Sequence, residues 1–384
     1  MIPQDENTSR NWRQRLAVAL CGMGIALSLA GALEAKPEAD SEGWDGRKPR
    51  PRNVSHKATA EFEARFARLS IAQPFILADY DEAKNYPSHI FRKAYKNLGG
   101  KGAEQGAALM ARFLAGCARE AGGGPVSGWW RVKAASGTAD MLYAFDVPDD
   151  MSFASALASV SSHAGRNLRK DAGLEYDQLL RIVLYHEVFG HCTESLCPHV
   201  KNMAIDAEHV DDFTYNRTLE ELRADIASLV GMARDEGSTV SGRKLVHLRA
   251  LHMFHDESDA PYDNIPELDA VNDRLDVMLA NPQAKAALMA ADDRGLVGMV
   301  DRLFGEVMPT PQKQEMRFDI HVGAQGFHSQ NTHERERVRT EMEDDPVLAF
   351  AVVRAHRRAE KAMDALLEPA RAPCRNNSHP EPTP

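Results

Sequence analysis

The sequence predicts a mainly α-helical protein with a small β hairpin or sheet. Three observations favour this class. After residue 58, apolar residues recur mostly three or four positions apart, which is the period of an amphipathic helix. Strand-like patterns rich in aromatic and β-branched residues are concentrated in Trp129–Val147. Pro266 and Pro282 each open a helical pattern, and proline is well tolerated in the first turn of a helix.

The composition is that of an acidic globular protein. The chain has 384 residues, of which 43% are hydrophobic and 27% are charged. This length is sufficient for one large hydrophobic core or two smaller ones. The formal net charge of −10 argues against a general nucleic-acid binder, which is normally basic. We therefore expect no nucleic-acid partner.

The amino terminus has the pattern of a secretory signal peptide. Arg10, Arg13 and Arg15 precede an apolar run, Leu16–Ala32, which ends in small residues. We interpret residues 1–35 as this signal and expect export to the periplasm or the outside of the cell. The alternatives are an uncleaved membrane anchor and an apolar segment of a non-exported protein. Contact with a membrane is expected only if the segment is not cleaved.

The rest of the chain divides into a linker, one domain and a tail. Residues 36–57 are rich in proline, glycine and charge, which predicts a linker without a fixed fold. Residues 58–368 are predicted to form one mainly helical domain, and residues 369–384 a disordered, proline-rich tail. Helices are expected at Ala58–Leu69, on both sides of the glycines in Ser88–Ala121, at Asp345–Leu367, and in segments that begin near Ser152, Tyr176, Thr218, Ser241, Pro266, Pro282 and Gly295.

Two hairpins are predicted. Trp129–Val132 and Met141–Phe145 have strand patterns, and Ser136-Gly137 between them is typical of a turn. A second, shorter hairpin is expected in Glu315–Gln330.

Four cysteines remain after removal of the signal: Cys117, Cys192, Cys197 and Cys374. Cys192 and Cys197 are close enough in sequence to form a disulfide in an exported protein. Buried thiols explain the same residues, and the sequence leaves both interpretations open.

A helical stretch, Leu179–Leu196, carries the pattern H-E-x-x-x-H at His186, Glu187 and His191. Zinc peptidases commonly use H-E-x-x-H, whose histidines share one helical face. In this chain the histidines are one position further apart, and residues i and i+5 of a regular α-helix lie about 140° apart. A shared metal ion therefore requires a widened turn such as a π-bulge. Gly190 within the interval lowers the cost of a distorted backbone.

The next helical segment, Thr218–Arg234, offers a third metal ligand. Thr218 and Glu221 have the spacing of a capping box, so Glu221 either caps this helix or binds a metal. Acids are common in a first helical turn, because they oppose the helix dipole. The upstream histidine pattern favours the ligand role. Glu220 and Asp225 are further acids on the same helix.

Two short segments, H-E-V-F-G-H at His186–His191 and E-E-L-R-A-D at Glu220–Asp225, carry a family resemblance. They resemble the dipeptidyl peptidase III family of zinc peptidases, which has H-E-L-L-G-H followed downstream by E-E-C-R-A-E or E-E-C-R-A-D. Leu222 replaces the cysteine of that pattern. The resemblance covers Tyr185–Asp225. The family's second lobe, with a β-barrel that grips the amino end of a peptide, has no counterpart that we can identify in this sequence.

The resemblance implies a gluzincin-like helical metallopeptidase domain. It assigns Zn²⁺ to His186, His191 and Glu221, and it makes Glu187 the catalytic general base. It also implies that Glu220 and Asp225 orient the two histidines.

We therefore expect an exported zinc-dependent peptidase that acts on a peptide or protein substrate. One alternative is a zinc hydrolase of a non-peptide amide or ester, because the same water chemistry serves both substrates. The other is a non-catalytic, zinc-stabilised envelope or effector protein that binds a partner. An open fourth coordination position favours an enzyme.

Overall fold

A computed structural model describes residues 55–120, 127–145, 174–196, 210–251, 264–310 and 332–366. Helices make up 75% of the described residues and accompany a three-stranded sheet, so the predicted mainly α class is confirmed. No helix within these ranges is both long and apolar enough to cross a bilayer. The predicted signal segment, the tail, the helix expected near Ser152 and the hairpin expected at Glu315–Gln330 lie outside the described residues.

The amino-terminal part combines short helices with the sheet. Glycines separate the helix Pro87–Asn97 from the helix Glu104–Glu120 as predicted, and Gly99, Gly100 and Gly102 have φ values of 95°, 77° and 94°. These left-handed conformations suit glycine because it lacks a Cβ atom. The elements are α1 (Ser55–Arg68), β1 (Phe75–Ala78), α2 (Tyr80–Asn85), α3 (Pro87–Asn97), α4 (Glu104–Glu120), β2 (Ser127–Ala134) and β3 (Gly137–Phe145).

The carboxy-terminal part is helical throughout the described residues. Its elements are α5 (Tyr176–Leu184), a π turn (Tyr185–Gly190), a 3₁₀ turn (His191–Leu196), α6 (Val210–Glu236), α7 (Val240–Leu251), α8 (Ile265–Ala280), α9 (Pro282–Met289), α10 (Asp293–Val307), α11 (Thr332–Asp344) and α12 (Pro346–Leu366).

Helix α6 is longer than predicted. It begins at Val210, so Thr218 lies inside the helix and the predicted capping box with Glu221 is wrong. Thr218 is fully buried there, and its carbonyl oxygen accepts a hydrogen bond from Asn264 Nδ2 at 3.1 Å. The S/T-x-x-E spacing misled because glutamate is also a good residue for a helix interior. Glu221 therefore does not cap a helix, which removes the competing explanation for its position.

The sheet has the strand order β1-β3-β2. β2 and β3 form the predicted antiparallel hairpin, in which Ala134 faces Gly137 at the turn. β1 was not predicted. β1 pairs in parallel with β3, from Phe75 opposite Leu142 to Ala78 opposite Phe145. Its four residues, FILA, are all apolar, and a short continuous apolar run does not distinguish a strand from a buried helical segment.

Two hydrophobic clusters share β3 between them. The larger cluster includes Ala144 and surrounds the π turn and α6. The smaller one includes Met141 and Tyr143 and lies against α2 to α4. This division follows from the alternation of side chains along a strand. The π turn contacts β3 on one side and α6 on another, and α6 also contacts α5, α7, α8 and α10.

Helix α1 holds the π turn through one buried arginine. The guanidinium of Arg65 lies 4.7, 5.0 and 4.6 Å from the ring centres of Phe62, Tyr185 and Phe189. It also donates to Asp293 at 2.8 Å and to the Tyr185 hydroxyl at 2.9 Å. Each cation–π contact of this kind contributes about 0.5–2 kcal/mol, more when it is desolvated. The turn is thus fixed from the side of α1 by both packing and charge.

Candidate metal centre

His186 and Glu187 lie on a π turn and His191 follows it directly, which confirms the predicted widening of the helix. Hydrogen bonds that run from residue i to i+5 bring residues five positions apart to one side of the helix. The Nε2 atoms of His186 and His191 are accordingly 3.2 Å apart.

Gly190 is required by a close approach between helices. A Cβ atom at this position would lie 2.5 Å from the Cα atom of Ala224 on α6. Any larger residue would push the π turn away from α6, and α6 carries the third polar group of the site. The glycine is therefore explained by interhelical packing, since its φ does not lie in the left-handed region.

Glu221 of α6 completes a group of three donors. Its Oε2 lies 3.2 Å from His186 Nε2, and its Oε1 lies 3.7 Å from His191 Nε2. The three ligand atoms lie within 4.8 Å of one another, and within the described ranges this is the one such group of His, Cys, Asp or Glu. Their side chains are 11%, 17% and 14% exposed, so solvent reaches the group without surrounding it.

The separations fit zinc. Zinc bonds of about 2.0–2.2 Å at tetrahedral angles place ligand atoms about 3.3–3.6 Å apart. The two Nε2 atoms are 3.2 Å apart, and they lie 3.2 and 3.7 Å from the two different oxygens of Glu221, which is near this spacing. Two imidazoles and one carboxylate are also a known ligand set of catalytic zinc, in which the fourth position is open.

Asp225 and Arg249 orient the first histidine. Oδ1 of Asp225 lies 3.0 Å from His186 Nδ1, on the side of the ring that faces away from Glu221. Arg249 Nε and Nη2 donate to the two oxygens of Asp225 at 2.9 and 2.6 Å. In neutral His186 the Nδ1–H donates to Asp225, which leaves the Nε2 lone pair for a metal.

The electrostatic environment favours a cation. Burial lowers the pKa of His186, but hydrogen bonds to Asp225 and Glu221 and the charge of Glu187 outweigh burial and raise this pKa to about 9. Burial opposes the charge of Glu221, yet His191 and His186 hold its pKa well below the usual value. Burial acts likewise on Asp225, and Arg249 and His186 lower its pKa. The carboxylates thus remain charged, and in metal-free protein a proton on His186 takes the place of a cation.

Glu187 is buried on the π turn, with 5% of its surface exposed. Its charge acts on His186 and also on Tyr143 of β3, whose pKa is raised by burial first and then by the charges of Cys117, Cys192 and Glu187.

Two sequence predictions near the site stay open. Glu220 lies on α6 beside Glu221 and is half-buried, and its predicted role in orienting a histidine stays a prediction. Cys192 is buried, and its Sγ lies 3.6 Å from the Tyr143 carbonyl oxygen. Cys197 lies outside the described residues, so both interpretations of the two cysteines stay open.

Sequence reasoning missed the arginines of the site. Arg249 lies on α7, beyond α6 in the chain from the histidine pattern, and no local pattern connects it to Asp225. Arg223 lies within the E-E-L-R-A-D segment, so the segment itself was the signal. The contacts of both arginines form only when α6 packs against its neighbouring elements, so the sequence alone does not reveal them.

Comparisons with protein-family models, curated proteins and solved structures find no match for this chain. The interpretation of the site therefore depends on its own geometry and on the two short motifs.

Proposed function

We propose that this protein is an exported zinc-dependent peptidase. One observation carries the proposal: one imidazole on a π turn, a second at the first residue of the following 3₁₀ turn, and a carboxylate on α6 lie close enough together to bind one ion. A structural zinc site normally has four protein ligands, whereas three ligands leave a position for water or substrate.

His186, His191 and Glu221 are the residues that would hold the ion. Zinc bound there supplies an acidified water and a Lewis acid for the scissile carbonyl. The Glu187 carboxylate takes up the proton that the attacking water loses and returns it to the leaving nitrogen. Its burial supports this role because bulk water is kept from exchanging that proton.

The substrate class rests on the two motifs. Their resemblance to a family of zinc peptidases favours a peptide or protein substrate. A zinc hydrolase of a non-peptide amide or ester uses the same proton transfers, and a zinc-stabilised binding protein would keep the ion without hydrolysis.

The test combines metal analysis with a peptide-library digest of the purified full chain. We expect one zinc per chain and cleavage of peptides by the wild type. Glu187→Gln is expected to keep zinc and to lose hydrolysis, because the amide cannot accept a proton. Glu267→Gln is a matched control: it neutralises another buried glutamate, 3% exposed on α8, and is expected to keep both properties.

The results separate the three functions. Peptide cleavage by Glu187→Gln at the wild-type rate would contradict the proposed mechanism. Hydrolysis of ester or small amide substrates without peptide cleavage would favour the non-peptide hydrolase. Stoichiometric zinc with no hydrolysis of either class would favour the binding protein.

A further inference from the structure

Arg223 is a fully buried arginine two positions after Glu221 on α6. Its guanidinium contacts the helix that carries the histidines. Nη1 donates a short hydrogen bond to the carbonyl oxygen of Gly190, and Nη2 donates to Oγ1 of Thr193 at 3.0 Å. The motif arginine thus binds the residues on either side of His191 and Cys192.

These contacts fall on the junction between the π turn, which ends at Gly190, and the 3₁₀ turn, which begins at His191. Hydrogen-bond geometry is poorer in 3₁₀ turns than in α-helices, and a change of helix type interrupts the regular series of backbone hydrogen bonds. At this junction, side-chain donors bind backbone carbonyl oxygens in addition. Thr193 Oγ1 donates to the Phe189 carbonyl oxygen at 2.6 Å, and Arg223 binds the next carbonyl oxygen, that of Gly190.

Asp301 of α10 holds the guanidinium in place. Its Oδ1 accepts from Arg223 Nε at 2.9 Å and from Nη2 at 2.7 Å. A buried charge without such a partner would be costly, so the ion pair is what allows an arginine at this position. Arg223 therefore has its donors divided between α10 and the backbone around His191.

We infer that Arg223, held by Asp301, is a positioning residue for the metal centre. It fixes the backbone at the junction so that His191 and His186 face the same ion. This inference rests on the proposed function, because it assigns the junction its role in metal binding. A turn that relaxed to a regular α-helix would place the two histidines about 140° apart.

The test uses Arg223→Met, which keeps bulk and removes the donors, together with Arg223→Lys and Asp301→Asn. We expect Arg223→Met to weaken zinc binding about 10–100-fold in a competition assay with a chromophoric chelator, the range found for residues that orient metal ligands. The visible absorption spectrum of the Co²⁺-substituted protein is expected to change, because it reports ligand geometry. Lysine should restore binding in part, since one ammonium group cannot serve Asp301 and both junction oxygens.

Ser228→Ala is the matched control. Ser228 is also fully buried on α6, and its hydroxyl donates to the Ile182 carbonyl oxygen of α5 at 2.7 Å, before the π turn. Its loss is expected to lower the urea midpoint of the metal-free protein, because a buried hydrogen bond is removed. Zinc affinity and the Co²⁺ spectrum are expected to stay unchanged.

Two outcomes are distinguishable. If the wild type binds zinc and Arg223→Met binds it equally well with an unchanged Co²⁺ spectrum, Arg223 is merely structural and the inference is overturned. If the wild type binds neither metal, the proposed function itself fails. Should Arg223→Met not fold, Arg223→Lys and Asp301→Asn decide on the same two measurements, and wild-type values in both variants would overturn the inference.

Discussion

His186 and Asp225 face each other across the π turn and α6, with Nδ1 and Oδ1 3.0 Å apart. This one hydrogen bond decides which nitrogen of the ring is directed toward Glu221 and His191. It also explains why the last acid of the E-E-L-R-A-D segment is four positions after Glu221: both side chains then lie on the same side of α6. The segment thus provides one proposed metal ligand, Glu221, and the carboxylate that is hydrogen-bonded to another, His186.

The carboxylate of Asp225 contacts both His186 and Arg249, which predicts that substitutions of Asp225 and Arg249 have coupled effects on zinc affinity. Asp225→Asn and Arg249→Met should each weaken zinc binding, the first by about 10–100-fold. Because the ion pair joins them, the double variant should lose less than the product of the two effects. Chelator competition on all four proteins gives the coupling. Additive losses would show that Arg249 does not act through Asp225. Asp276→Asn, at an exposed ion pair with Arg243, is the control and should leave affinity unchanged.

Removal of a ligand should release the metal. His191→Ala deletes one of the three donors, and we expect zinc to be lost on dialysis while helical content measured by circular dichroism is kept. His247→Ala removes a half-buried histidine of α7 and should retain zinc. Equal zinc content in the two variants would exclude His191 as a ligand.

Gly190→Ala should destabilise the fold. The added methyl group would lie 2.5 Å from the Ala224 Cα atom, and overpacking of this kind costs about 1–3 kcal/mol. Urea unfolding measures the loss. Gly116→Ala on α4 is the control, because no atom lies within 4 Å of its added Cβ. There alanine should be neutral or stabilise by up to about 1 kcal/mol, since it favours a helix more than glycine does. Similar effects at the two positions would contradict the close contact.

The metal-free protein should lose stability as pH rises from 6.5 to about 9. The pKa of His186 is raised to about 9 in the folded state from 6.5, so the folded state binds the additional proton. This contribution is fully present below pH 6.5, is lost as pH rises through 9, and amounts to at most about 3 kcal/mol. Urea midpoints between pH 6 and 10 measure it. Saturating zinc should remove the decline, as should His186→Gln. A decline that persists in His186→Gln would assign it to other groups.

Much of the site could be predicted because its chemistry is local. The extra residue between His186 and His191 demands a widened turn on geometric grounds. The hairpin of β2 and β3 was likewise predicted from alternation and a turn signal. In each case the determining residues lie within a few positions of one another.

The remainder depends on contacts between distant segments. β1 is a strand because it pairs with β3, and its four apolar residues show no alternation that predicts a strand. The start of α6 was predicted too late because a spacing that caps helices also occurs inside them. Arg223 and Asp301 meet only after α6 and α10 pack together. No window of sequence contains both.

The contact between Gly190 and Ala224 sets the minimum unit that a designer would have to transplant. If the six residues from His186 to His191 were grafted onto an ordinary helix, a larger side chain on a neighbouring helix would collide with the position of Gly190. In this protein that neighbouring residue is Ala224. The host would need a second helix with alanine at the crossing point, close enough to deliver a carboxylate three positions earlier along it. The unit that must be transplanted is therefore a pair of helices that cross at a short distance, and the sequence motif is only one part of it.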